Sequence, residues 1–180
     1  MNFEPKYLIR WGILGWTYLA IIMAYFILRD YEAVKSYFFS NDASIMVLSI
    51  SLFIGVGIII GNLLHQFSLS FGYIIWINKK KSFKKDYEMD LRVIESQYGK
   101  EIQSIYSNRL GNVDALRALC LSIFLSLITL AILSLTITFS IKIGILILIV
   151  LFLNWIVLNN WVYFQNNLDY FIKSIKSEFE

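Results

Sequence analysis

The chemistry open to this chain is narrow. Its one histidine, His65, lies four residues beyond a Gly57-Ile-Ile-Ile-Gly61 repeat, close to Asn62 and Gln66, in an otherwise apolar run. A lone imidazole with no cysteine or carboxylate at ligand spacing does not make a metal centre, so no metal is expected. What it can do is respond to pH or line a wet path, repeated around an axis where several chains assemble; the other reading is a histidine hydrogen-bonded to a neighbouring helix. Asn62, Gln66 and the distant Asn154 and Asn159 leave the same two readings open, a polar path or helix-to-helix bonding. The chain holds no Gly-rich phosphate loop, no Ser-His-Asp set in plausible order, no GxSxG and no HExxH. Neither an enzyme nor a cofactor is expected.

The elements that must position these groups follow from composition. Of 180 residues, 58% are hydrophobic and 16% charged, an apolar surplus that needs lipid. The expected fold class is an all-α integral membrane protein of one domain, residues 1–180. Four transmembrane helices are placed at about 11–28, 45–77, 115–139 and 143–165, with a cytosolic amphipathic helical segment at about 79–112 between spans two and three. The four core runs as drawn are read as free of Asp, Glu, Lys and Arg, which disfavours ion-coupled transport. Trp11 and Trp16 are expected at the membrane interface, and the link from Arg29 to Ser44 as a short polar connection with an aromatic belt at Tyr37-Phe38-Phe39. Cys120, the single cysteine, is expected to be a small packing residue.

Span two organises this picture. At 100° per residue, Gly57, Gly61, His65, Ser68 and Gly72 share one narrow stripe, and small residues let helix backbones approach closely where lipid removes any hydrophobic gain. That makes span two the expected hub and the supplier of subunit contacts in a homo-oligomer. A helix over 45–77 would measure roughly 50 Å against a hydrocarbon core of about 30 Å, so it must tilt, kink or leave the bilayer, with His65 near the inner surface.

Charge sets the orientation. Nine of the sixteen Lys and Arg lie between Lys79 and Arg117, and Lys79, Lys80, Lys81, Lys84 and Lys85 mark a cytoplasmic segment that attracts anionic lipid headgroups. Both termini are then cytoplasmic, and nucleic acid is not expected as a partner. Tyr87, Leu91, Ile94, Tyr98, Ile102 and Ile105 recur at three- and four-residue steps, one helical face able to dock a cytosolic protein. Asn108 and Gly111-Asn112 are expected to end that helix, with Asp114 capping the next.

In size, four spans, inward termini and a basic helical segment between spans two and three, the whole chain resembles small four-span membrane components of bacterial antiviral defence systems. Examples are the membrane subunit of the Kiwa system and CRISPR-associated membrane accessories. The resemblance implies a multi-pass protein of the bacterial inner membrane that works with a cytosolic partner or opens the membrane as a pore. The expected function is an oligomeric membrane protein coupling a cytosolic partner or signal to the bilayer, as a pore-forming or membrane-sensing subunit. The alternative is a stand-alone small channel or solute transporter.

Overall fold

The computed structural model describes residues 5–38, 43–76 and 99–179. They form five helices: α1 (Pro5–Arg29), α2 (Tyr31–Phe38), α3 (Ala43–Trp76), α4 (Gly99–Thr136) and α5 (Ile141–Phe179). Among the described residues there is no strand. Four of the helices, all but α2, are long and apolar enough to cross a membrane, so the chain has the make-up of an all-α, multi-pass membrane protein.

Local sequence explains the helix ends. Pro5 opens α1, where its missing N–H costs nothing. Asp30 ends α1 and starts α2 by accepting the Ala33 amide on its Oδ1 at 3.1 Å. Within the link expected as a polar connection, residues 31–38 therefore form a capped helix of eight residues. Ser140 accepts the Ile143 amide at 3.3 Å and begins α5, so α4 and α5 turn back on each other within residues 137–140.

One expected boundary is overturned. α4 runs unbroken through Asn108, Gly111, Asn112 and Asp114 for 38 residues. Asp114 does not cap a helix; its Oδ1 holds Arg117 one turn further on at 2.8 Å. A helix tolerates Gly and Asn at a modest propensity cost when packing on both sides of them continues, and Val113 and Ala118 are buried there.

α1 and α4 run parallel and form a spine. α3 packs on one flank of it and α5 on the other; α1 and α4 each touch both, and among the described residues α3 and α5 do not meet. The second span was expected to be the hub, but among the described helices the hub is α1, which touches each of the other four. Tyr25, Ile123, Leu130, Ile143 and Val150 form the core of the α1–α4–α5 side. Only 6% of the most apolar window of α3 is buried, against 33% for α4, so α3 is a flank.

The helices overrun a bilayer by different amounts. At 1.5 Å per residue α3 measures about 51 Å, α4 about 57 Å and α5 about 58 Å, against about 30 Å of hydrocarbon. The starts of α1 and α4 and the ends of α3 and α5 share one end of the bundle, called proximal below. The short connections at 30 and 137–140 lie at the distal end.

Candidate functional site

Two different seams hold α1. Against α3 the contact is backbone on backbone. A Cβ on Gly15 would run into the Gly57 carbonyl oxygen and stand 2.7 Å from the Gly61 nitrogen, and one on Gly61 would run into the Trp11 carbonyl. Only hydrogen fits at such a crossing. The Trp16 ring lies on Gly57 and its Nε1–H donates to the Ile54 carbonyl at 3.2 Å. Trp16 is thus a rivet between two helices, where an interfacial anchor was expected, and the glycine stripe is used within the chain, against α1. Gly57, Gly61 and Ser68 are buried in it; Gly72 lies near the end of α3.

Against α4 the contact is made by hydroxyls. Ser122 donates to the Leu14 carbonyl at 2.8 Å, and Tyr18 and Thr129 share a bond of 3.0 Å. Tyr25, fully buried, donates to the Leu133 and Thr138 carbonyls at 3.0 and 3.3 Å. Ser126, Thr129, Ser134 and Thr136 also bond carbonyls of their own helix, which satisfies groups that lipid would leave costly.

The amides of the last span do not reach α3. Asn154 Oδ1 accepts the Cys120 thiol at 3.5 Å, and Asn159 donates to the Trp155 carbonyl at 2.8 Å. The expectation that Asn62 or Gln66 bonds across to them fails because the α1–α4 spine stands between. Gln66 is exposed on α3.

What does converge is a polar layer at the proximal boundary. Trp11 faces Gly61, and Leu14, three residues along α1, accepts from Ser122. Because α4 runs with α1 and α3 against it, Gly61 is level with residue 119, and Asn62 and His65 are level with residues 118 to 115. Asp114 and Arg117 therefore lie at the depth of Asn62 and His65. All sit about 30 Å from the distal helix ends, one hydrocarbon thickness away. Arg117 corrects the expectation of charge-free runs: it lies inside the third run as drawn, paired with Asp114, with 19% and 24% of the two side chains exposed. Asn62 Oδ1 and Arg117 Nε are buried in this layer with no hydrogen bond. His65, half-buried, takes the Ser68 hydroxyl on its backbone carbonyl at 2.8 Å.

Beyond that layer α4 and α5 continue side by side as a two-helix post of about 27 Å, counting 18 residues from Gly99 to Arg117. Arg109 clamps it: its guanidinium bonds the Asn167 side chain and lies 4.5 Å from the centroid of the Phe171 ring. Ile102 and Ile105 are on this post, Ile105 exposed and Ile102 half-buried. The other expected docking positions, Tyr87, Leu91, Ile94 and Tyr98, and the headgroup lysines Lys79, Lys80, Lys81, Lys84 and Lys85 lie outside the described residues. Gly15, Tyr18, Tyr25, Arg109 and Arg117 were missed as site residues. Gly12 and Gly15 in one apolar run, and Asp114–Arg117 at three-residue spacing, were the signals available for two of them.

No protein-family model, curated protein or solved structure matches this chain.

Proposed function

We propose that this protein is a membrane-embedded coupling subunit. Its α4–α5 post receives a cytosolic partner and transmits that contact to the bundle. The observation that carries this reading is the overrun of α4 and α5, two clamped helices continuing about 27 Å past one hydrocarbon thickness. Helices this long that stay paired by Arg109, Asn167 and Phe171 move as one lever, so force or binding at the tip reaches Cys120–Asn154 and the spine beyond. Exposed Ile105, Tyr106 and Tyr170 give the post apolar and aromatic contact area of the kind protein partners use.

The setting proposed with it is the bacterial inner membrane, with the post and both termini in the cytoplasm, by the charge of residues 79–85. Membrane lipids are its surroundings. The resemblance to small four-span components of antiviral defence systems supports a signalling role there. A pore, in this reading, lies between chains of a homo-oligomer, since α1 and α4 are closed on each other by Tyr18, Tyr25 and Ser122.

The test is native mass spectrometry of the C-terminally tagged protein extracted from its own host. A stoichiometric soluble protein that is lost on Ile105→Glu or Tyr170→Glu, with membrane insertion intact, is the expected result. A homo-oligomer that carries no partner and conducts ions alone in liposomes would replace the coupling reading with a stand-alone channel.

A further inference from the structure

We propose that α5 carries the contact surface for a second copy of this chain. Leu148, Phe152, Trp155, Asn159 and Val162 form a seam that joins two bundles side by side, with the Asn159 amides paired across a two-fold axis. The inference rests on the membrane-spanning homo-oligomer of the reading above: the glycine stripe expected to join subunits is occupied by α1, so another face must do so. The seam residues follow at steps of four, three, four and three, the spacing that keeps one side of a helix against another. All five are exposed. At 100° per residue they lie opposite Ile143, Val150 and Leu168, which are buried against the rest of the chain. Phe152, Trp155 and the flanking Tyr163 are 59%, 60% and 65% exposed; at about 200 Å² a ring they offer roughly 370 Å² per chain, close to half of the ~800 Å² per partner of a standard interface before any aliphatic side chain is counted.

Polar groups on the seam decide between lipid and protein as its cover. Lipid tails cover apolar area as well as a helix does, but they neither donate nor accept hydrogen bonds. Trp155 stands about 21 Å and Asn159 about 27 Å from the distal start of α5, both within one hydrocarbon thickness. Trp16, about 20 Å from the distal end of α1, donates its indole N–H across a seam to the Ile54 carbonyl. Trp155 stacks on Phe152 with ring centroids 6.0 Å apart, and among the described residues its N–H has no acceptor. A facing helix offers carbonyls to it as α3 does to Trp16. Asn159 donates one N–H to the Trp155 carbonyl at 2.8 Å, which leaves one N–H and Oδ1 open. An amide with one donor and one acceptor open is its own complement. Two copies inserted in the same direction run their α5 helices parallel, so a two-fold axis along the membrane normal sets each residue against its counterpart. Each Asn159 then donates to the Oδ1 of the other, the arrangement by which a seam asparagine selects two strands and fixes their register.

The experiment is cysteine cross-linking of the full-length chain in native membranes, in a Cys120→Ala background. Leu148→Cys and Val162→Cys should give disulfide-linked dimers on mild oxidation. Leu153→Cys and Asn160→Cys are the controls, exposed at matching depths and turned about 130° away from the seam; they should give few. Asn159→Leu should weaken association in proteoliposomes about sevenfold, read by energy transfer between labelled chains, as loss of two symmetric bonds of the usual strength in lipid predicts. Cross-links that fail to separate the two pairs, or that join the seam to a different protein, overturn the second copy as its occupant. So does an Asn159→Leu chain that associates as wild type does. An oligomer seen by native mass spectrometry with no seam cross-link overturns this surface and leaves the oligomer standing, whereas a monomer overturns both. The coupling role of the post is tested apart from the seam by Ile105→Glu on α4, which should leave the cross-links in place.

Discussion

The two seams of α1 solve one problem in opposite ways. Lipid tails are as apolar as leucine, so helices inside a bilayer gain little from burying apolar side chains on each other. The α1–α3 seam answers by removing side chains: Gly15, Gly57 and Gly61 bring two backbones into contact, with Trp16 laid over the crossing. The α1–α4 seam keeps its side chains and gives them hydrogen bonds, through Ser122, Tyr18–Thr129 and Tyr25. The first mode is steric and all-or-none, because a carbonyl cannot move aside for a methyl group. The second is additive, because each bond can be lost while the others hold.

The largest effect should therefore come from Gly15→Leu. It places a side chain inside the α3 backbone, and with no flexible neighbour to yield the expected cost is about 3 kcal/mol or more. Thermal unfolding of the membrane-extracted protein should show it as loss of the native transition. Gly55→Leu serves as the matched control, since nothing lies within 4 Å of a Cβ there, and it should unfold at the wild-type temperature or slightly above it, because replacing a helix-interior glycine removes a propensity cost. Similar behaviour of the two variants would break the contrast between the seams.

Tyr25→Phe tests the other mode. It deletes one hydroxyl that serves two carbonyls, Leu133 and Thr138, at the distal end of α4. The ring stays in the core, so the expected loss is about 1–2 kcal/mol, a lowered melting temperature with a single cooperative transition retained. Ser122→Ala should cost less, about 0.6 kcal/mol, the usual worth of one interhelical bond in lipid. If the double variant loses more than the sum, the bonds act as one network and the additive description of this seam must be dropped.

How much of this was visible in the sequence depends on the length scale of the signal. Spans of eighteen or more apolar residues are legible because nothing else in the chain competes with them, and all four reappear as helices. The glycine stripe of α3 was legible as a close-contact surface, while its partner was not. Gly57 and Gly61 look the same whether another subunit or α1 covers them, and Gly15 is one glycine among apolar residues until it is seen opposite a carbonyl. Hub status depends on neighbours, which periodicity on a single helix does not encode. α2 was lost because Asp30, the residue that stops α1, is also the residue that caps the next helix. In the polar layer Asn62 and His65 stood out, with Gln66, as amide and imidazole groups in a long apolar run. Asp114 and Arg117 did not, because a carboxylate after Gly-Asn has the look of a helix cap, and the chain was expected to turn just before it, at Gly111-Asn112.

That turn allows a test in which the sign of a small effect decides. Gly111 has nothing within 4 Å of a Cβ, and it lies in the interior of α4, six residues from Arg117 toward the helix start. In a continuous helix, glycine costs backbone entropy that alanine does not, so Gly111→Ala should stabilise the protein by about 0.5 kcal/mol. Had the chain turned at Gly111-Asn112 as the sequence suggests, glycine would sit in a left-handed conformation and alanine would destabilise it by a comparable amount. Hydrogen exchange of the amides from 105 to 115 reads the same question locally, with slower exchange in the alanine variant expected for an unbroken post. The outcome also sharpens the contrast drawn above. Glycine at 15 and 61 is required because another backbone occupies the space of its missing side chain, whereas at 111 that space is empty and the residue is replaceable.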